Sequence, residues 1–116
     1  MTIQEQLFAL LSNATSALDR VYPLIAPDAV AAPYVIFQRI SASTENILSG
    51  SSGLINTRIQ VDVYAATYAQ AQGVAAAIDG LMATWTVQNV SVLSQDFYEP
   101  EAKMHRVLTD YSIWHP

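Results

Sequence analysis

The chain has no cysteine, which excludes disulfides, thiolate metal sites and a cysteine nucleophile. Charge is scarce as well. Only 13% of the 116 residues are Asp, Glu, Lys or Arg, against the usual ~25%. Basic residues are the scarcest, five against ten acidic ones, for a net charge of −5. Those five, Arg20, Arg39, Arg58, Lys103 and Arg106, are scattered. A nucleic-acid grip needs them clustered to displace phosphate counterions. No apolar run reaches the ~18 residues of a membrane helix, and the longest, Ala29 to Phe37, contains Pro33. Met1-Thr2-Ile3-Gln4-Glu5 has no basic segment followed by an apolar stretch, so no signal peptide is expected. The only histidines, His105 and His115, are too far apart to share a metal. Phosphate-loop and dinucleotide-loop glycine patterns are missing.

What the chain does have is apolar content, 52%, in a length that fits one domain over residues 1–116. A folded chain so short of charge implies an exterior that partly faces other protein chains. Its abundant alanine accounts for some of the apolar excess.

Thr2 and Glu5 have capping-box spacing. Ile3, Leu7, Leu10, Leu11, Ala14 and Leu18 follow on one helical stripe, so a first helix is expected to end near Leu18. Val21 to Pro33, with Pro23, Pro27 and Pro33, reads as an irregular crossing. Tyr34 to Ser43 is a strand candidate, rich in β-branched and aromatic residues. Thr44 to Gly53 reads as a polar, mobile hairpin tip. Leu54 to Tyr64 alternates, with Ile55, Thr57, Ile59, Val61 and Val63 on one face and Asn56, Arg58, Gln60 and Asp62 on the other. Thr67 and Gln70 begin a second helix with Ala71, Val74, Ala75, Ile78, Leu81 and Met82 as its stripe. Thr86 to Tyr98 predicts a strand with a bulge. Glu99-Pro100-Glu101 predicts a turn, and Lys103 to His115 a last strand. The order α-β-β-α-β-β predicts an α+β fold, an antiparallel sheet of about four strands with two helices packed on one face.

No catalytic constellation emerges. Asp96, Glu99 and Glu101 cluster at a turn, where water keeps carboxylates from splitting their pKa values. Ile47 and Leu48 lie inside the polar tip, either tucked against the body or offered to a partner.

Several stretches resemble the tail-completion, or tail-terminator, family of long-tailed bacteriophages and related gene-transfer particles. They are Val21-Tyr22-Pro23 with Ala26-Pro27, the run Pro33 to Ser41, Ser49 to Leu54, Arg58 to Ala65, Asp96 to Glu101 through His105-Arg106, and Asp110 to His115. The resemblance covers nearly the whole chain in order. It implies a structural virion protein rather than an enzyme, with no cofactor, metal or membrane. Such proteins form a ring, usually of six copies, on the head-proximal end of the tail tube. They assemble in the host cytoplasm, stop tube growth and present a surface to the head-side connector or stopper, while DNA passes through the lumen. An acidic wall would let DNA slide. On this reading the tip residues Glu45, Asn46, Ile47 and Leu48 dock onto the last ring of tube protein or reach along the lumen, and Asp96, Tyr98 and Glu99 meet a neighbouring copy or the connector. Another neck component, a stopper or adaptor, fits the same composition. A small ligand-binding module would need a pocket that the sequence does not display.

Overall fold

A computed structural model describes residues 1–17, 19–47 and 50–116, with side chains outside residues 45–52. Helix α1 spans Ile3–Leu11 and helix α2 Tyr68–Thr84. The strands are β1 (Val21–Pro23), β2 (Tyr34–Ile47), β3 (Gly50–Ala65), β4 (Gln88–Glu99) and β5 (Met104–His115). They form one sheet in the order β1-β2-β3-β5-β4.

The α+β class stands, but the sheet has five strands and is mixed rather than four and wholly antiparallel. The added strand is β1, which pairs parallel with β2 through Val21↔Val35, Tyr22↔Ile36 and Pro23↔Phe37. It lies in the stretch that reads as irregular. Proline lacks an N–H, which a sheet tolerates at its edge. Here Val35 N donates to Arg20 O and Leu24 N donates to Phe37 O, stitching the crossing to β2.

Helix α1 starts where its capping box predicts. Thr2 Oγ1 accepts from Glu5 N at 3.1 Å, and Thr2 N donates to Glu5 Oε1 at 3.0 Å. It stops at Leu11, well before Leu18. The Ser12 hydroxyl donates to Phe8 O at 2.7 Å, and Asn13 adopts a positive φ of 59°. Side-chain bonds of this kind and a left-handed Asn both end helices. At α2, Thr67 Oγ1 accepts from Gln70 N.

Of the loop expected at residues 44–53, residues 44–47 and 50–53 are instead strand. Pairing continues through Glu45↔Leu54, Asn46↔Ser51 and Ile47↔Gly50, with a register shift after Glu45. Gly53, at φ 77°, supplies the backbone turn that the shift needs. Backbone pairing needs no apolar side chain, so a Ser/Gly-rich segment extends the hairpin. The molecule is 52 Å long and 24 Å across. The expected bulge in β4 falls at Val92, between the pairs Ser91↔Tyr111 and Leu93↔Asp110.

The core is one cluster. The sheet supplies Val35 and Phe37 of β2, Ile59, Val61 and Val63 of β3, and Val107, Tyr111 and Ile113 of β5. These are alternate residues, so they share one face of the sheet. Helix α1 supplies Ile3, Leu7 and Leu11, and α2 supplies Ala71, Val74, Ile78 and Met82. Burial, and then the hydroxyl's bond to the Asp79 carboxylate, hold the Tyr111 phenol protonated.

Candidate assembly surfaces

The sheet ends on β4, and that strand is open. Val90, Val92, Leu93, Phe97 and Tyr98 are all exposed. Its twelve residues include neither Lys nor Pro, two devices that usually guard an edge against other strands. What anchors β4 to the body is mostly polar. Ser94 Oγ lies 3.2 Å from Thr109 Oγ1, and Asn89 Nδ2 donates to Met82 O at 2.9 Å.

Asp96, Tyr98 and Glu99 are neighbours in sequence, but the pleat puts Glu99 on the face opposite Asp96 and Tyr98. Asp96 pairs with Val107 and Tyr98 with His105, on the core side of the sheet. Asp96 Oδ2 accepts from Tyr68 Oη and Oδ1 from Gln72 Nε2, both at 2.8 Å. The carboxylate thus holds the Tyr68 phenol above its ordinary pKa and ties the edge strand to α2. Tyr98 and Tyr68 both meet the His105 ring edge-on, at 5.0 and 5.9 Å.

Glu99 lies on the opposite face, in a network that sequence reasoning did not assemble. Arg106 Nη1 donates to Glu99 Oε1 at 3.2 Å, and Arg106 Nε to Asp62 Oδ1 at 3.0 Å. Gln60 Nε2 donates to the other Asp62 oxygen at 2.8 Å. The Arg106 guanidinium lies 5.7 Å from the Tyr64 ring centre and 5.2 Å from that of Phe97. Burial pulls its pKa down, but the hydrogen bond and charge of Asp62, helped by Glu99, outweigh burial and raise it. Farther along the same face, Arg58 lies 3.7 Å from Asp110, and Asn56 Nδ2 donates to Ser112 Oγ at 2.7 Å. The alternation of β3 places Asn56, Arg58, Gln60 and Asp62 together. Only the β3–β5 register, Asp62↔Leu108 and Tyr64↔Arg106, shows which β5 residues meet them.

The tip candidates Glu45, Asn46 and Ile47 continue the hairpin as paired backbone. Their side chains, and Leu48 altogether, lie outside the described residues. A recess of about 470 Å³ between α1 and β1 is lined by Met1, Phe8, Ala9, Pro23 and Phe37, with Gln4 and Glu5 at its side. It lacks the convergent polar groups of a substrate site. Among the described residues no group of three His, Asp or Glu side chains is placed to hold a metal. Nor is any described helix long and apolar enough to cross a membrane. His105 belongs to the aromatic cluster, and His115 Nε2 lies 2.7 Å from Thr57 Oγ1.

Comparison with known proteins adds two findings. The family model described as Tail completion protein gp17 matches residues 5–116. A chain from the solved structure "Virion of native gene transfer agent (GTA) particle" superposes with a TM-score of 0.64 at 19% identity, covering 93% of this chain and 82% of that one. At that identity the likeness shows the fold. No curated protein sequence matches this chain.

Proposed function

Because this chain belongs to the tail completion protein gp17 family, a family of structural virion proteins, we propose that it forms a ring, of six copies, at the head-proximal end of a phage tail tube. The ring ends tube growth and joins the tail to the head-side connector or stopper. The observation that carries the reading is the family match over residues 5–116. The fold supports it, because its open surface is a sheet edge rather than a substrate pocket. A ring needs two different complementary faces on each copy, since head-to-tail contacts must close.

DNA passes through the lumen without a specific grip. Two of the chain's five bases, Arg58 and Arg106, face the carboxylates of Asp110, Asp62 and Glu99. A lumen wall built from the outer face of the sheet therefore offers phosphates little free positive charge. The β2–β3 hairpin reaches along the tube axis, and its tip residues Glu45 to Leu48 meet the last ring of tube protein. The protein resides at the head–tail junction of the virion after assembly in the host cytoplasm. No catalytic step and no cofactor enter this account.

Electron microscopy of particles made without this gene tests the reading. Detached heads beside tails of uncontrolled or excessive length are expected. Normal-length tails without heads would assign joining alone and place the chain with the stoppers or adaptors. Intact virions would overturn the reading.

A further inference from the structure

The sheet has a second open edge, on the side away from β4. Strand β1 covers β2 only at Val35 to Phe37. Among the described residues, Gln38 to Thr44 of β2 make ladder pairs with β3 alone. Arg39, Ile40, Ser41, Ala42, Ser43 and Thr44 are exposed there. The two edges differ in charge. Strand β4 carries Asp96 and Glu99 and no base, while Gln38 to Thr44 carries Arg39 and no acid. Among the described residues Arg39 takes part in no ion pair.

We propose that copies of this chain join edge to edge, β4 of one pairing antiparallel with β2 of the next, with Asp96 opposite Arg39 and Leu93 opposite Ser43. The inference rests on the ring reading above and names the surfaces that close the ring.

The strand sense follows from the topology. Strand β4 runs antiparallel to β5, β5 to β3, and β3 to β2, so β4 runs opposite to β2. Copies related by rotation about an axis to which the strands are tilted by less than a right angle keep their sense along it. An edge β4 then meets an edge β2 in the antiparallel arrangement, the more stable one.

The register follows from matching faces. Asp96 pairs with Val107 and Arg39 with Ile59, both on the core side. Leu93 pairs with Asp110 and Ser43 with Asn56, both on the outer side. Ile40 is skipped in the β2–β3 ladder, between Arg39 and Ser41. Counting from Asp96–Arg39 across that bulge gives Gln95–Ser41, Ser94–Ala42 and Leu93–Ser43. Every pair then keeps its side of the sheet, as a continuous pleat demands. In the other direction Phe97 meets Gln38, and the contact stops where β1 begins. The neighbour is thereby displaced along the strand, which gives the stagger a closed barrel needs. The rival β4–β4 contact is self-complementary and closes at two copies, leaving the β2 edge unused.

The absence of native cysteine makes the test clean. A double variant, Leu93→Cys with Ser43→Cys, is assembled into tails, oxidised and run on a gel without reductant. Within one copy these strands are three sheet spacings of about 4.8 Å apart, beyond the reach of a disulfide. The expected result is a ladder from dimer up to the full ring, with each single variant remaining monomeric. Monomer alone in correctly joined tails would overturn the pairing. So would a dimer from Leu93→Cys by itself, which would mean that β4 meets β4. The adjacent pair Gln95→Cys with Ser41→Cys repeats the test if the first pair disturbs assembly. A ladder in rings located away from the tube end would keep the pairing and discard the terminator reading. Normal termination without any bridge would discard the pairing alone.

Discussion

Strands β3 and β4 belong to one sheet and are both long, yet they are built on different rules. In β3, Thr57, Ile59, Val61 and Val63 are buried on the core face, and Asp62 is buried on the other. In β4 no residue is buried, and Val90, Val92, Leu93, Phe97 and Tyr98 are exposed. A central strand has neighbours on both sides and a core beneath it, so its apolar residues stabilise the subunit. The edge strand leaves comparable apolar residues exposed, outside the core. On the ring reading proposed above, that difference separates folding from assembly: β3 supplies the core, and β4 is the surface proposed to meet a neighbouring copy.

Substitutions sharpen or break this contrast according to the strand they touch. The largest loss of stability is expected from Ile59→Ala, which removes a fully buried side chain from the middle of β3. A loss of about 2–5 kcal/mol in denaturant unfolding is expected. Asp62→Ala comes next. It strips Arg106 and Gln60 of a buried acceptor, and about 1–3 kcal/mol is expected. Thr2→Ala removes the α1 cap for about 1 kcal/mol. The same cap sets a pH test. The Thr2 backbone and side chain hold Glu5 below its ordinary value of 4.5. A depressed carboxylate contributes its stabilisation above the unfolded value and loses it as pH falls through the folded one. Acid unfolding curves of wild type and Glu5→Gln are therefore expected to differ above pH 4.5 and to converge only once pH has fallen below the depressed folded value. The smallest change in stability, within about 0.5 kcal/mol, is expected for Leu93→Asp on the open edge. This variant should nevertheless be lost from assembled particles, as a Western blot of purified virions reports. If Leu93→Asp unfolds the chain, or enters particles at the wild-type level, the contrast between the two strands is wrong.

Much of this was legible in the chain itself. The alternation of residues 54–64 gives β3 and its buried face. The two helical stripes give α1 and α2, and the broken alternation after Thr86 gives the bulge at Val92. Strand β1 was not legible, since three residues ending in proline carry no strand period. The hairpin extension was hidden for a related reason. Thr44 to Ile47 pair through backbone with Gly50, Ser51, Leu54 and Ile55, and a polar, Gly-containing sequence looks like a loop. Asp96, Tyr98 and Glu99 read as one cluster because sequence proximity does not reveal which face a pleat assigns. The Asp62–Arg106 pair spans 44 positions and depends on the β3–β5 register, which no local pattern encodes. The edge character of β4 follows from strand order, and non-local pairing decides that order.

The central claim is that this chain closes one ring at the head-proximal end of the tail tube. Cryo-electron microscopy of intact particles, with this chain identified in the density, tests it most directly. The account predicts a single ring of this fold between the last tube ring and the head-side connector, with β4 of each copy beside β2 of the next. Copies repeating along the tube, or a chain absent from the junction, would contradict it.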